Sequence, residues 1–566
     1  MKKRIKGADA LMEALINEGV DTVFGYPGGS IIPVYDSLKN YSDKLRHVLV
    51  RHEQGATHAA EGYARVSGKV GVCFVTSGPG ATNAITGIGD AMIDSTPIVV
   101  VMGQVGASLL GTDAFQEIDV VGITQPITKW AYQIRRPEDI AWAVARAFYI
   151  ARSGRPGPVV LDFAKNAQVS EVDYEPSVCD FIRSYLPKPI VQDVYVQQAA
   201  DLINAAKKPF ALVGQGVVLG NAEKELMTFL EKADIPAGWT LLGESGMPTD
   251  FRLNKGRLGR HGNIGPNMKT NECDVLIAIG MRFDDRVTGN LNTYAKQAKV
   301  IHIDIDASEL DKNVLTTVPL LGDVKEVLPK LTEKVAAANH SEWINSFAEY
   351  EQREFNEVIS KELMPQSGNL KMGEVVAAVS EAVNHDAVLV TDVGQNQMMA
   401  ARYFKFRQSR SVVTSGGLGT MGFGLPAAIG AKIACPNRTV CFFTGDGGIQ
   451  MTIQELGTIM QEQTGVKIIL MNNNWLGMVR QWQELFYESN YSQTKMVNPD
   501  FSLLAKAYGI ASREVSERGE LKSAIEDMLK TDDPYLLIVN VEPEGMVYPM
   551  TPAGHTITDI MTGEKK

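Results

Sequence analysis

Asp446, in the run Thr444-Gly445-Asp446-Gly447-Gly448, and the amides of Asn472-Asn473-Asn474 are the residues of this chain whose types and spacing most directly suggest chemistry. One carboxylate, an amide oxygen and a backbone carbonyl or two make a hard-oxygen donor set. Such a set suits Mg²⁺, which usually takes its remaining ligands from water and substrate phosphates. The stretches between these residues say how they could meet. An apolar strand, Val440 to Phe443, delivers Asp446. A helix-period segment follows, with Ile453, Leu456 and Met460 spaced three and four apart, and a second strand, Val466 to Met471, ends at the amides. In an open parallel sheet both positions lie on the carboxyl rim, where ligands bind. Asp-Gly alone is a common turn pair, so the argument needs the strands and the amides in register with it.

Arg51-His52-Glu53-Gln54-Gly55-Ala56 directly follows another strand, ending at Val50. A carboxylate there is either a helix cap or a functional acid. Ser415-Gly416-Gly417-Leu418-Gly419-Thr420-Met421-Gly422 contains a literal Gly-x-Gly-x-x-Gly after a strand. The dinucleotide reading fails on context, because no free acid stands at the end of the next strand. The glycines would instead let backbone approach a flat heterocycle, and Met421 reads by itself as core. Gly25-Tyr26-Pro27-Gly28-Gly29 and Ser77-Gly78-Pro79-Gly80 are turns on the rim that should also carry Glu53. The loop Arg282-Phe283-Asp284-Asp285-Arg286-Val287-Thr288-Gly289 is either a solvated ion-pair cluster or a charged site. Trp475 and Trp482 would share a face if the segment after the Asn run is helical, as packing or as a pocket wall.

The chain has 566 residues, 45% hydrophobic and 21% charged, an ordinary globular profile. At ~150 residues per domain that length suggests three or four domains. A net charge of −11 with no basic cluster gives nucleic-acid binding no electrostatic support. Five scattered cysteines suit a reducing compartment better than disulfides. The basic start Met1-Lys2-Lys3-Arg4 runs at once into an acidic helix pattern (Asp9, Glu13, Glu18), with no apolar signal core and no run long enough to span a membrane. A cytoplasmic protein without a membrane role is the expectation.

Helix-like and strand-like stretches alternate along the chain, which predicts doubly wound parallel α/β sheets. Expected strands of a first domain (1–170) are Thr22–Phe24, His47–Val50, Val70–Val75, Ile98–Met102 and Val159–Leu161. A Pro-rich linker precedes a second domain (190–340) with strands at Phe210–Val213, Val275–Ile279 and Val300–Ile305. A third (369–550) has strands at Ala387–Thr391, Val412–Ser415, Thr439–Phe443, Val466–Met471 and Tyr535–Val541.

Gly-Asp-Gly followed by Asn-Asn resembles the signature of thiamine-diphosphate enzymes. From about residue 5 to 555 the chain resembles the catalytic large subunit of acetohydroxyacid synthase, the acetolactate synthase family. The resemblance is carried by Phe24–Gly29, Arg51–Ala56, Gly111-Thr112-Asp113-Ala114-Phe115-Gln116-Glu117, Ser153-Gly154-Arg155-Pro156-Gly157-Pro158, Arg282–Gly289, Gly416–Pro426 and Gly477-Met478-Val479-Arg480-Gln481-Trp482. It implies a pyrimidine domain, a central domain and a diphosphate domain, with the site formed between two subunits of a homodimer or tetramer. It implies that pyruvate is decarboxylated and the two-carbon unit passed to a second 2-ketoacid, pyruvate or 2-ketobutyrate, on the way to branched-chain amino acids.

The resemblance also implies roles. Glu53 is the acid at the cofactor's pyrimidine; Gln116 and Lys165 line the substrate channel, with Phe115 beside them; Met421 bends the cofactor. Asp446, Asn473 and the carbonyl of Trp475 hold Mg²⁺. Gly29, Gln395, Asn396 and Gly419 border thiamine diphosphate, as do Gly447, Gly448 and Met478. Arg286 takes the carboxylate of the second 2-ketoacid and Trp482 its alkyl tail. Arg155, His261, Gly262, Asp285, Asp306 and Asp323 fall on or near the positions that hold FAD in synthetic members. A small regulatory subunit is a further implied partner.

Four residues depart from the family pattern. Asn396 stands for a usual histidine, Arg260 for a methionine, Gln215 interrupts a triple glycine, and Gly106 replaces a proline. They bear on FAD more than on thiamine. An FAD-independent fermentative acetolactate synthase and a pyruvate oxidase are the alternatives; the Arg282–Arg286 loop and Trp482 argue against the first, and Phe115-Gln116 with Gln481-Trp482 against the second. Glyoxylate carboligases lack the acid that Glu53 supplies. A non-catalytic homologue is hard to reconcile with Glu53, Asp446 and Asn473 all present.

Overall fold

The computed structural model describes residues 3–563, so Met1 and Lys2 of the basic start lie outside the described residues. Its frame is three six-stranded parallel sheets. In the first, the spatial order is Arg46–Leu49, Thr22–Gly25, Gly71–Val75, Ile98–Gln104, Val159–Ala164, Trp130–Ile134. The second runs Asn254–Arg257, Ala237–Trp239, Pro209–Val213, Val275–Ile279, Lys299–Asp304, Val318–Leu321. The third runs Val412–Val413, Val388–Thr391, Val440–Gly445, Val466–Asn472, Tyr535–Asn540, Ala511–Val515. Central strands such as Gly71–Val75 and Ile98–Gln104 are buried along their whole length. That is what parallel strands with helices on both faces require, and why their sequences read as unbroken apolar runs. A short antiparallel pair, Lys3–Lys6 with Glu171–Tyr174, ties the chain start to the end of the first sheet.

Five strands of the three sheets escaped the sequence pattern, as did both strands of the antiparallel pair. Trp130–Ile134, Asn254–Arg257, Val318–Leu321 and Ala511–Val515 are edge strands, only partly buried; all but Val318–Leu321, which carries a proline instead, are partly polar. Ala237–Trp239 is only three residues long. The helical segment expected around Ile453–Met460 is present as a 3₁₀ turn, Ile453–Glu455, that runs into the helix Leu456–Glu462, separated at Thr452 from the helix Asp446–Met451; Met460 is 42% exposed. Among the described residues no helix is long and apolar enough to cross a membrane. All five cysteines are free.

The first and third sheets are locked together by two helices, Glu53–Ser67 and Gly424–Ala434. They approach backbone to backbone. A Cβ on Gly62 would lie 2.0 Å from the Ala427 carbonyl oxygen, and one on Gly430 1.8 Å from that of Ala59. Glycine's intrinsic helix penalty, about 1 kcal/mol against alanine, is outweighed by the contact it permits. Gly62→Ala and Gly430→Ala are therefore expected to lower stability by roughly 1–3 kcal/mol in a denaturant titration. Gly519→Ala, in a helix where an added Cβ meets nothing within 4 Å, should be neutral or stabilising by up to about 1 kcal/mol.

Candidate active site

Glu53 opens the helix Glu53–Ser67, but His52 is the cap: its Nδ1 accepts the Gln54 N–H at 3.1 Å. The carboxylate of Glu53 is thereby left for another purpose. It is 9% exposed and accepts a bond from Asn83 Nδ2 at 2.9 Å. A Cβ on Gly80 would lie 3.3 Å from Glu53 Oε1, and one on Gly78 3.0 Å from the Gln116 backbone, so Glu53, the Ser77–Gly80 turn and Gln116 sit together on the rim of the first sheet. Gln116 itself adopts φ 61°. Lys165 follows the strand Val159–Ala164 on the same rim and donates to the Gly29 carbonyl at 3.3 Å. The Ser30 hydroxyl accepts the Ser77 N–H at 2.9 Å, tying the Gly29 turn to the Ser77 turn. Phe115 is 87% exposed beside them.

The third sheet assembles the metal-type residues. Asp446, 1% exposed, is the first residue after the strand Val440–Gly445. Asn473 directly follows Val466–Asn472, and its Oδ1 accepts the Trp475 N–H at 3.1 Å, leaving one lone pair free. Asn498 is a residue that sequence reasoning missed. Its Nδ2 donates to Asp446 Oδ2 at 2.6 Å, Asn472 Oδ1 at 3.0 Å and Asn474 Oδ1 at 3.1 Å. No spacing could reveal it, because it arrives from a loop beyond the next helix. Burial pushes the Asp446 carboxyl above the usual carboxylate range, a cost that a bound cation would reverse. The donor set fits Mg²⁺.

Gln395 and Asn396 begin the helix Gln395–Tyr403 at the end of the strand Val388–Thr391. Gln395 Oε1 and Asn396 Oδ1 are buried without a partner. The Gln395 NH₂ is engaged, donating to Gln481 Oε1 at 3.0 Å and the Gly545 carbonyl at 2.8 Å, whereas the Asn396 amide can present either its oxygen or its NH₂. Together with the helix N-terminus they form a cradle for an anionic group. Gly477 packs closely on the Gln395 and Asn473 amides: a Cβ there would fall 2.1 Å from Gln395 Oε1 and 2.8 Å from Asn473 Nδ2. A Cβ on Gly447 would lie 3.7 Å from the Met421 methyl, so Met421 leans over the Asp446–Gly448 turn instead of packing in the core. Gly448 lies against the Asp392 carboxylate, which accepts the Gly422 N–H at 3.0 Å. Trp475 lies outside the helix Gly477–Phe486, so it does not share a helical face with Trp482. Its ring meets Tyr491, and that of Trp482 meets Phe486.

The glycine-rich loop makes its closest approaches to protein rather than to open space. Gly416 and Gly417 donate to Asp94 at 2.8 and 2.7 Å, and a Cβ on Gly417 would strike Arg282 and Asp94 at 2.9 Å. Gly419, at φ 68°, is the open part of the loop.

Three family models match in order. They describe the thiamine pyrophosphate enzyme N-terminal TPP binding domain (residues 5–123), central domain (196–331) and C-terminal TPP binding domain (392–539). The chain is 44% identical to the acetolactate synthase large subunit of Lactococcus lactis subsp. lactis, covering 98% of this chain and 96% of that one. It is 43% identical to the acetolactate synthase isozyme 2 large subunit of Escherichia coli, covering 98% and 99%. The chain belongs to the acetolactate synthase large-subunit family of thiamine pyrophosphate enzymes. Its two TPP binding domains are those that carry Glu53 and Asp446.

Unlike a simple two-domain site, this acetolactate synthase family member has a further cavity of about 810 Å³ where all three sheets meet. Arg155, His261, Asp285, Asp323, Gly419 and Met478 line it, and so do Arg286 and Trp482. Asp306 does not; it pairs with Arg155 at 3.4 Å and caps the next turn. Gly262 is set behind the wall, where a Cβ would lie 2.6 Å from the Arg257 carbonyl oxygen. Burial, then the guanidiniums of Arg257, Arg286 and Arg260, hold the His261 imidazole neutral, its pKa down at about 3. Its Nδ1 is buried and without a partner. Gly216 and Gly280, where a Cβ would fall 2.7 Å from the other's Cα, pack backbone to backbone and line the same cavity.

Glu455 fixes the entry to the Glu53 helix from the third sheet. Its carboxylate accepts the Arg51 N–H at 3.1 and 3.2 Å, and burial pushes its pKa up to about 7. The folded state thus favours the protonated form. That contribution is full below the ordinary glutamate value near 4.5 and is lost as pH rises through about 7. The unfolding midpoint should fall between pH 5 and pH 8, and Glu455→Gln should flatten the fall, being more stable than the parent at pH 8 by roughly 1–3 kcal/mol.

Proposed function

We propose that the chain is an acetolactate synthase that decarboxylates pyruvate and joins the two-carbon unit to a second 2-ketoacid, using thiamine diphosphate with Mg²⁺. The observation that carries this reading is one cavity shared by Gly419 and Met478, on the cofactor side, with Arg286 and Trp482. A guanidinium and an aromatic wall are what a 2-ketoacid asks for, one for its carboxylate and one for its alkyl tail.

Thiamine diphosphate, when bound, supplies the nucleophilic carbon and the electron sink that decarboxylation needs. The chain does the rest. Glu53, oriented by Asn83, holds or gives a proton at the pyrimidine ring. Asp446 and Asn473, with the Trp475 carbonyl, would hold Mg²⁺, and Asn498 keeps Asp446 aimed. The Gln395–Asn396 helix start and the Gly447–Gly448 turn supply N–H donors. Met421 props the cofactor between them. Lys165 and Gln116, with Phe115, form the channel through which pyruvate enters.

Glu53 and Asp446 share no hydrogen bond within one chain; the partner of the first is Asn83 and that of the second Asn498. We read the working site as formed between two copies, in a homodimer or tetramer. The 810 Å³ cavity would take FAD, with Arg155, His261, Asp285 and Asp323 along it and Gly262 and Asp306 behind. A small regulatory subunit is a proposed partner, and a reducing cytoplasm the proposed setting for five free cysteines.

The test is a competition assay with purified chain, Mg²⁺, thiamine diphosphate, FAD, pyruvate and 2-ketobutyrate. Acetolactate with 2-aceto-2-hydroxybutyrate is expected; acetate formation coupled to flavin reduction would contradict the reading. Glu53→Gln should lower kcat by about 100-fold or more while thiamine diphosphate and Mg²⁺ still bind, measured by single-turnover kinetics and calorimetry.

A further inference from the structure

The shared cavity holds more positive charge than its acids answer. Arg155 pairs with Glu309 at 2.6 Å, Arg257 faces Glu244 at 3.6 Å, and Arg282 faces Asp284 at 3.9 Å. Arg260 and Arg286 also line the cavity, and among the described residues neither has a carboxylate within ion-pair distance. The two are structurally joined: the Arg260 N–H donates to the Arg286 carbonyl at 2.7 Å, and the Arg260 carbonyl accepts the Thr551 N–H at 2.8 Å. The Arg260 main chain is therefore held at both its N–H and its carbonyl. The half-buried Arg260 guanidinium stands over the Trp482 ring, 5.6 Å from its centroid. Burial first, then Arg286, works against its charge, with exposed Asp285 a distant counterweight. An arginine does not give up its proton under such conditions, so the pocket is left asking for an anion.

One anionic group answers Arg286: the carboxylate next to the ketone of the acceptor. Arg260 lies at the opposite feature of the same site, on the aromatic face that would otherwise take an alkyl tail. A cation on that face is favourable beside the ring and unfavourable beside a hydrocarbon chain end. We propose that Arg260 is a specificity-determining residue of the acceptor site, selecting a 2-ketoacid that carries a second carboxylate at the far end of its chain. This deepens the acetolactate synthase reading and rests on it. In the reaction the C1–C2 bond of pyruvate breaks and C1 leaves as carbon dioxide. The electron pair left behind forms the new bond to the acceptor's ketone carbon, and the ketone oxygen takes up a proton. Both acceptor carboxylates are retained, one at Arg286 and one at Arg260.

The experiment offers the holoenzyme pyruvate with equimolar 2-oxopentanedioate and 2-ketobutyrate, and quantifies both cross-products by mass. It is repeated with Arg260→Met, similar in length and uncharged, and Arg260→Lys, which keeps the charge. Melting curves and retained flavin are recorded for each. Losing a charge-assisted contact corresponds to roughly 10- to 100-fold. The dicarboxylic product is expected from the parent, its share falling by about that factor in Arg260→Met through KM for 2-oxopentanedioate, with partial recovery in Arg260→Lys. Acetolactate without any dicarboxylic product overturns the inference and leaves the acetolactate synthase reading standing. So does an unchanged product ratio in Arg260→Met accompanied by loss of flavin, which would assign Arg260 to the flavin. No carboligation of any kind sinks both.

Discussion

The crossing of the Glu53–Ser67 and Gly424–Ala434 helices is the contact on which the rest of the structure depends. It is a backbone contact, made possible by Gly62 and Gly430 facing Ala427 and Ala59. One helix begins at the acid Glu53; the other begins at the end of the glycine-rich loop that carries Met421. A packing that tolerates no extra methyl therefore fixes, within one chain, the positions of two functional ends. Those ends have different partners. Glu53 is held by Asn83, and the Met421 methyl lies against Gly447. Such an arrangement supports a reading in which one chain contributes to two sites.

Buried charge reinforces the same junction. Arg65, near the end of the Glu53 helix, donates to Asp94 at 2.9 Å and to the Thr414 carbonyl at 2.7 Å. Asp94 in turn takes the Gly416 and Gly417 N–H groups, and Asp90 takes the Ser415 hydroxyl at 2.9 Å. His58, Glu61 and Asp90 complete a cluster with no exposed surface. Burial holds His58 neutral, down at about 4, and pushes Glu61 and Asp90 upward. Such a cluster contributes little net stability over an apolar equivalent. What it supplies is register: the loop cannot move without unpairing Asp94.

The sequence was legible where one residue type has one physical use. Buried parallel strands such as Val466–Asn472 and Val440–Gly445 read as apolar runs, and the acid and amides at their ends followed. Four of the six edge strands were not legible; Ala511–Val515 and Asn254–Arg257, for instance, are only partly buried and carry charge, whereas the edges Arg46–Leu49 and Val412–Val413 read as strands. Asn498 was hidden because its role comes from a distant loop folding back, which no local pattern records. Asp94 and Glu455 were hidden similarly: each is an ordinary acid in the text and becomes structural only when two domains close on it. The loop glycines have a use the sequence did not show: Gly416, Gly417 and Gly422 each donate an N–H to a carboxylate of the protein itself, while Gly416, Gly417 and Gly419 also line the large cavity. Arg260 was visible as a departure, but its place over Trp482 needed the fold.

The most direct test of the account is subunit complementation. Glu53→Gln and Asp446→Asn chains, each purified alone, are mixed under conditions that allow exchange, and pyruvate consumption is followed. If one site draws Glu53 from one copy and Asp446 from the other, each variant alone is nearly inactive. Mixed dimers then regain one intact site, so activity should rise toward about a quarter of the parental value, half of the dimers being mixed and each having one of two sites whole. Activity that stays at the level of the separate variants after verified exchange would contradict the shared site and place both residues in the same chain's centre.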